Sequence, residues 1–110
     1  MSGEGDRLAA RVAFELPELL AATGGELGHV GAAVRVSGVT TDTRGLVPGE
    51  LFVPIRGPQH DGHAHLAAAA EAGAPAVLLE REAGPGPTGC TTIVVRDTLT
   101  ALGDLARWHR

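Results

Sequence analysis

Apolar residues change their spacing several times along the chain, and each change marks an element. In the stretch ELPELLAATGG, Leu16, Leu19 and Leu20 recur at helical spacing. Pro17 suits a first helical turn, Glu18 favours the positive end of the helix dipole, and Gly24-Gly25 stops the helix. From Ala33 the period becomes two. Val34 and Val36 alternate with Arg35 and Ser37, which predicts a strand, and Gly38 throws Val39 out of phase, which predicts a bulge. After a polar TTDTR segment, Val47-Pro48-Gly49 has proline and glycine in type II turn order. Leu51, Val53 and Ile55 then share one face of a second strand. Pro54 lacks a backbone donor, so it places this strand at a sheet edge or removes one ladder bond.

Asp61 is a candidate N-cap for an alanine-rich helix over 63–72 that Gly73 ends. The apolar run Ala76-Val77-Leu78-Leu79 follows as a buried strand. Strand, helix and strand together have the length of a parallel crossover unit. Ile93-Val94-Val95 predicts another buried strand. Asp97 then caps a last helix with Leu99, Leu102 and Ala106 on one face. The fold expected is α/β: a small, mostly parallel sheet flanked by helices, in a single domain over 14–110, behind a flexible tail over 1–13. The chain stops on a helix, which suggests a piece of something longer.

Composition narrows the function. With 110 residues there is room for one domain. Aromatics are only 3%, so the core must be mainly aliphatic. A net charge of −4 argues against nucleic acid and against anionic membrane surfaces as partners. No apolar run approaches the ~20 residues that span a bilayer. A lone Cys90 has no disulfide partner and fits a cytosolic location. The literal GxGxxG at Gly84 to Gly89 is no dinucleotide fingerprint, because two of its positions are prolines and a strand follows. No GxxxxGK[ST] phosphate loop occurs. Glu80 and Glu82, at a strand end, read as solvated carboxylates.

The residues with chemical options cluster between Val36 and His65, in two polar segments that each follow a strand. Ligands of open α/β sheets bind beyond the carboxyl ends of strands. Asp42-Thr43-Arg44 has two readings on local sequence: a simple turn, or a face where Thr43 and Arg44 meet a ligand and Arg44 contacts phosphate or ribose. His60, His63 and His65 do not match a zinc spacing, so no metal site is expected. His60 and His63 suit hydrogen bonding to a ligand, whereas His65 reads as a partly buried helix residue.

These segments carry a family resemblance. Val39-Thr40-Thr41-Asp42-Thr43-Arg44, then Pro48-Gly49-Glu50-Leu51-Phe52-Val53, then Gly57-x-x-x-Asp61-Gly62-His63 resemble the amino-terminal domain of the Mur ligases. Glu71 to Leu79 and Asp97 to Ala106 extend the likeness, and Pro54 departs from it. The resemblance implies a cytoplasmic peptidoglycan-precursor ligase that binds the UDP end of a UDP-MurNAc-peptide in this domain. It assigns Asp42, Thr43 and Arg44 to one wall of the site and Gly57, Pro58, Gln59 and His60, with His63, to the other. Uracil and ribose would lie near Thr43 and Gln59, and the diphosphate nearer Arg44. The Asp61 cap competes with any phosphate placed directly on the helix end.

It further implies that ATP and Mg2+ bind a central domain absent from this chain, so the fragment contains no catalytic residue. Asp61-Gly62-His63 and the ATGGEL stretch favour the branch that adds D-alanyl-D-alanine to the tripeptide precursor. Gln59 matches the sibling branch that adds the third peptide residue. A monomer is expected. A stand-alone nucleotide-sugar-binding module remains the alternative from a different class.

Overall fold

The computed structural model describes residues 13–31, 35–57, 61–84, 86–87 and 89–109. The expected tail falls on residues that, apart from Ala13, lie outside this set. In chain order the elements are β1 (Phe14–Glu15), α1 (Leu16–Thr23), β2 (Glu26–His29), β3 (Arg35–Val36), β4 (Val39–Thr40), β5 (Leu51–Phe52), α2 (Leu66–Glu71), β6 (Ala76–Glu80), β7 (Thr91–Val95) and α3 (Thr98–His109). Short 3-10 turns occupy Thr43–Gly45, Gly62–His65 and Arg81–Ala83.

The main sheet has five strands in the order β2-β7-β6-β5-β4. Strands β4, β5, β6 and β7 are mutually parallel, and β2 closes one edge antiparallel to β7. The predicted parallel crossover is present, from β5 through α2 to β6. Every residue of β6 is buried, as a central parallel strand requires. Its side chains alternate between two cores. Ala76 and Leu78 join Leu19, Leu51, Ile93, Ala101 and Leu105 beneath α1 and α3. Val77 and Leu79 join Phe52, Leu66, Ala69 and Cys90 beneath α2.

Helix α1 begins and ends as its sequence dictates. Glu15 and Glu18 form a reciprocal capping box, and Gly24 takes the left-handed conformation (φ 67°) that stops the helix. The Pro48-Gly49 turn also forms. Glu50 N–H donates to the Val47 carbonyl (3.1 Å), with Gly49 at φ 103°. This turn packs against Gly73, whose carbonyl accepts from Gly49 N–H (3.0 Å).

Four expectations are corrected. Gly38 does not bulge one strand; it separates two. Strand β3 pairs antiparallel with β1 in a small second sheet, whereas β4 enters the main sheet. Strand β5 is not an edge, because it lies between β4 and β6. Val53 N–H still donates to the Thr40 carbonyl (2.9 Å), so the donor missing at Pro54 falls where the ladder ends. Helix α3 turns Ala101 and Leu105 inward, leaving Leu99 62% exposed. Glu80 is buried, not solvated.

Candidate functional site

Two polar segments that follow neighbouring parallel strands meet over one hollow of about 680 Å3. Thr41, Asp42, Thr43 and Arg44 line it from beyond β4. Phe52, Ile55 and Gly57 line it from β5 and beyond, and Gly62 and His65 from the turn that opens α2. The juxtaposition follows from the topology: β4 and β5 are parallel neighbours, so their carboxyl ends open on the same rim.

The first corner is held by its own side chains. Asp42 Oδ1 accepts from Arg44 N–H (2.9 Å) and Nε (3.1 Å), and Oδ2 accepts from Arg44 Nη2 (3.0 Å). The Arg44 guanidinium therefore holds the Asp42 carboxyl below its ordinary range, and Asp42 raises Arg44 in turn. Two of the five guanidinium N–H donors are used this way, leaving three for a ligand. Both readings of this corner are thus compatible with one geometry: Asp42 makes the turn and aims Arg44. The Thr43 hydroxyl has no hydrogen-bond partner among the described residues. Its neighbour Thr40 accepts from Asp42 N–H through Oγ1 (3.2 Å).

The second segment is shaped by a close backbone approach. Gly62 N–H donates to the Ile55 carbonyl (2.9 Å), and Arg56 bridges Asp61. A Cβ on Gly62 would stand 2.8 Å from Ile55 N and 3.0 Å from Pro54 Cα. Gly62→Ala is therefore expected to cost about 1–3 kcal/mol, because backbone must shift to admit the methyl. Urea denaturation checks this; a variant as stable as the parent means the loop neck yields freely.

Asp61 caps as expected, accepting from His63 N–H (3.0 Å). That bond holds its carboxyl below the ordinary range, helped by the His63 ring. The helix it opens starts as a 3-10 turn and becomes α-helical only at Leu66.

Of the expected site residues, Asp42, Thr43, Arg44 and Gly57 come together at the hollow. Pro58, Gln59 and His60 lie outside the described residues. His63 departs from expectation. Its side chain is 7% exposed and turned toward β6, with Nδ1 2.7 Å from Asp61 Oδ1 and Nε2 accepting Glu80 N–H (3.0 Å). Both ring nitrogens are occupied, so His63 builds the loop rather than facing a ligand. His65, read as a helix residue, is the described histidine that lines the hollow. Thr41, Phe52, Ile55 and Gly62 line it as well; the sequence signal for them was adjacency to the two segments. Among the described residues no three His, Cys, Asp or Glu side chains converge as a metal site would need. Among them, too, no helix is long and apolar enough to cross a membrane.

A mostly parallel α/β sheet with a hollow beyond its strand ends has the architecture in which such sheets hold ligands. Residues 35–110 match the family described as "Mur ligase family, catalytic domain", and the chain belongs to the Mur ligase family. It is 46% identical over 72 residues to UDP-N-acetylmuramoyl-tripeptide--D-alanyl-D-alanine ligase of Bacillus subtilis, covering 66% of this chain and 16% of that protein. It is 41% identical over 96 residues to UDP-N-acetylmuramoyl-L-alanyl-D-glutamate--2,6-diaminopimelate ligase of Chlorobaculum tepidum, covering 84% of this chain and 19% of the relative. A crystal structure of MurF from Acinetobacter baumannii shares the fold, with a TM-score of 0.77 at 23% identity over 90% of this chain and 21% of the other. The chain thus spans about a fifth of the length of the curated relatives it matches.

Proposed function

We propose that these residues dock the UDP end of a UDP-MurNAc-peptide for a peptidoglycan-precursor ligase. The observation that carries this reading is the hollow shared by the Asp42-Thr43-Arg44 corner with Gly57 and Gly62. A uracil needs a few directed donors and acceptors. The Thr43 hydroxyl supplies one, and Gln59 is assigned another. Pro58 and His60 belong to the same proposed set as Gly57. The three remaining Arg44 donors suit the ribose or the diphosphate, while the Asp61 cap keeps phosphate off the α2 end.

The parent enzyme, on this reading, is cytoplasmic and joins D-alanyl-D-alanine to UDP-MurNAc-tripeptide with ATP hydrolysis. On the same reading the parent enzyme holds ATP and Mg2+ in a central ATP-binding domain outside these 110 residues. The name of the matched family includes a catalytic domain; what this chain contributes is the substrate-docking part. A second reading has support of its own. Gln59 favours the sibling that adds the third peptide residue, and a diaminopimelate ligase is among the relatives, at 41% identity over 96 residues.

The test is calorimetric titration of the 110-residue chain with UDP-N-acetylmuramic acid. Thr43→Ala and Gln59→Ala are each expected to weaken binding by about 1–2 kcal/mol, as lost hydrogen bonds to a ligand do. Phosphate release from ATP is expected to stay at blank. Unchanged affinity in both variants puts the uridine site elsewhere.

A further inference from the structure

Arg56 and Asp61 pair across an isolated bridge beyond β5. This neck is tied to β6 through side chains. Asp61 Oδ1 lies 2.7 Å from His63 Nδ1, and His63 Nε2 accepts the N–H of Glu80 at 3.0 Å. A backbone amide only donates, so Nε2 carries no proton and the ring proton sits on Nδ1, facing Asp61. Glu80 closes the circuit from the other side, ion-paired with Arg56, which itself stands 3.9 Å from Asp61. Arg56 and Asp61 are thus both referred to one residue at the end of β6.

We propose that His63 is a positioning residue: its neutral ring pins the Arg56–Asp61 neck to β6 and so holds Gly57 and Gly62 on the rim of the hollow. The inference rests on the uridine reading given above. An imidazolium would turn a second N–H toward the Glu80 N–H, donor against donor, and the pin is lost. The charged groups facing the ring are Asp61 from its own turn, Arg56 across the neck and Glu80 from β6. Asp97, at the start of α3, reaches the circuit through its field with Arg56. Asp61 is held below the ordinary carboxylate range and keeps its charge at neutral pH.

Two readouts on the 15N-labelled 110-residue chain test the pin. The His63 ring is expected as the Nδ1–H tautomer in its 15N spectrum. In His63→Gln the side-chain carbonyl accepts the same Glu80 N–H, so the Gly57 and Gly62 amide resonances and the affinity for UDP-N-acetylmuramic acid are expected to stay near the parent's. In His63→Ala both amides are expected to shift and binding to weaken about tenfold. An alanine variant with parental Gly57 and Gly62 resonances overturns the proposal, and so does a glutamine variant that behaves as the alanine one does. If the parent binds no ligand, the uridine reading fails, and the Gly57 amide still decides the pin.

Discussion

Glu80→Ala is expected to lower the unfolding free energy by about 2–4 kcal/mol, which drops the melting temperature by roughly 10 °C or more. The carboxylate is only 4% exposed. Its Oε2 accepts both the N–H (2.9 Å) and the hydroxyl (3.2 Å) of Thr98, the first residue of α3. Thr98 is itself buried, at 1% exposed. Alanine leaves those two donors without an acceptor in a place water does not reach, and each orphan costs about 1–3 kcal/mol. Arg56 softens the loss, because its half-exposed guanidinium turns to water or to Asp61.

The N-terminus of α3 would then rest on Asp97 alone, which satisfies Thr100 through its N–H (2.9 Å) and hydroxyl (2.7 Å). Glu80→Gln separates the two roles of the residue. Its amide oxygen still accepts from Thr98 while the charge partner of Arg56 is gone, so a loss of about 1 kcal/mol is expected. Urea denaturation of both variants decides the matter. Equal losses would mean that the ion pair, not the Thr98 cap, holds this end of β6 in place.

Glu80 also shows where sequence reading stops. Its partners lie 18 residues ahead at Thr98 and well behind at Arg56, so no local pattern announces a buried carboxylate. The same circuit explains the face of α3. A helix anchored at Thr98 turns Ala101 and Leu105 inward, although Leu99 is larger than Ala101. Strand β2 was invisible for a different reason. All four of its residues are exposed, and it exists because β7 offers an unpaired edge. By contrast, α1, the Val47–Glu50 turn and the β5-α2-β6 crossover were legible. Each is bounded or turned by residues within about a dozen positions of one another in the chain: Pro17 and Gly24, Pro48 and Gly49, Asp61 and Gly73.

The site divides along the same line. That Asp42, Thr43, Arg44 and Gly57 share a rim followed from two neighbouring parallel strands each ending in a polar loop. That His63 turns away from the rim did not follow, because its partner is a main-chain N–H on β6.

Phe52→Ala is expected to cost about 3–5 kcal/mol, at the lower end of that range, and to change the hollow as well as the core. Phe52 is 1% exposed and packs among Leu66, Ala69, Val77 and Leu79 beneath α2. It also lines the hollow beside Ile55. Removing the ring opens a void continuous with that hollow, so water enters and no sealed cavity remains, which trims the penalty. Phe52→Leu keeps most of the volume and is expected to cost less than about 1.5 kcal/mol.

The leucine variant therefore stays folded while the packing that supports the floor of the hollow changes. If a uracil lies on that floor, Phe52→Leu weakens UDP-N-acetylmuramic acid binding by several-fold with nearly the parental melting temperature. Denaturation and titration of the same samples separate the two effects. A leucine variant with parental affinity would place the base against the Thr43 wall, away from Phe52. An alanine variant as stable as the leucine one would mean that the α2 core closes over the gap.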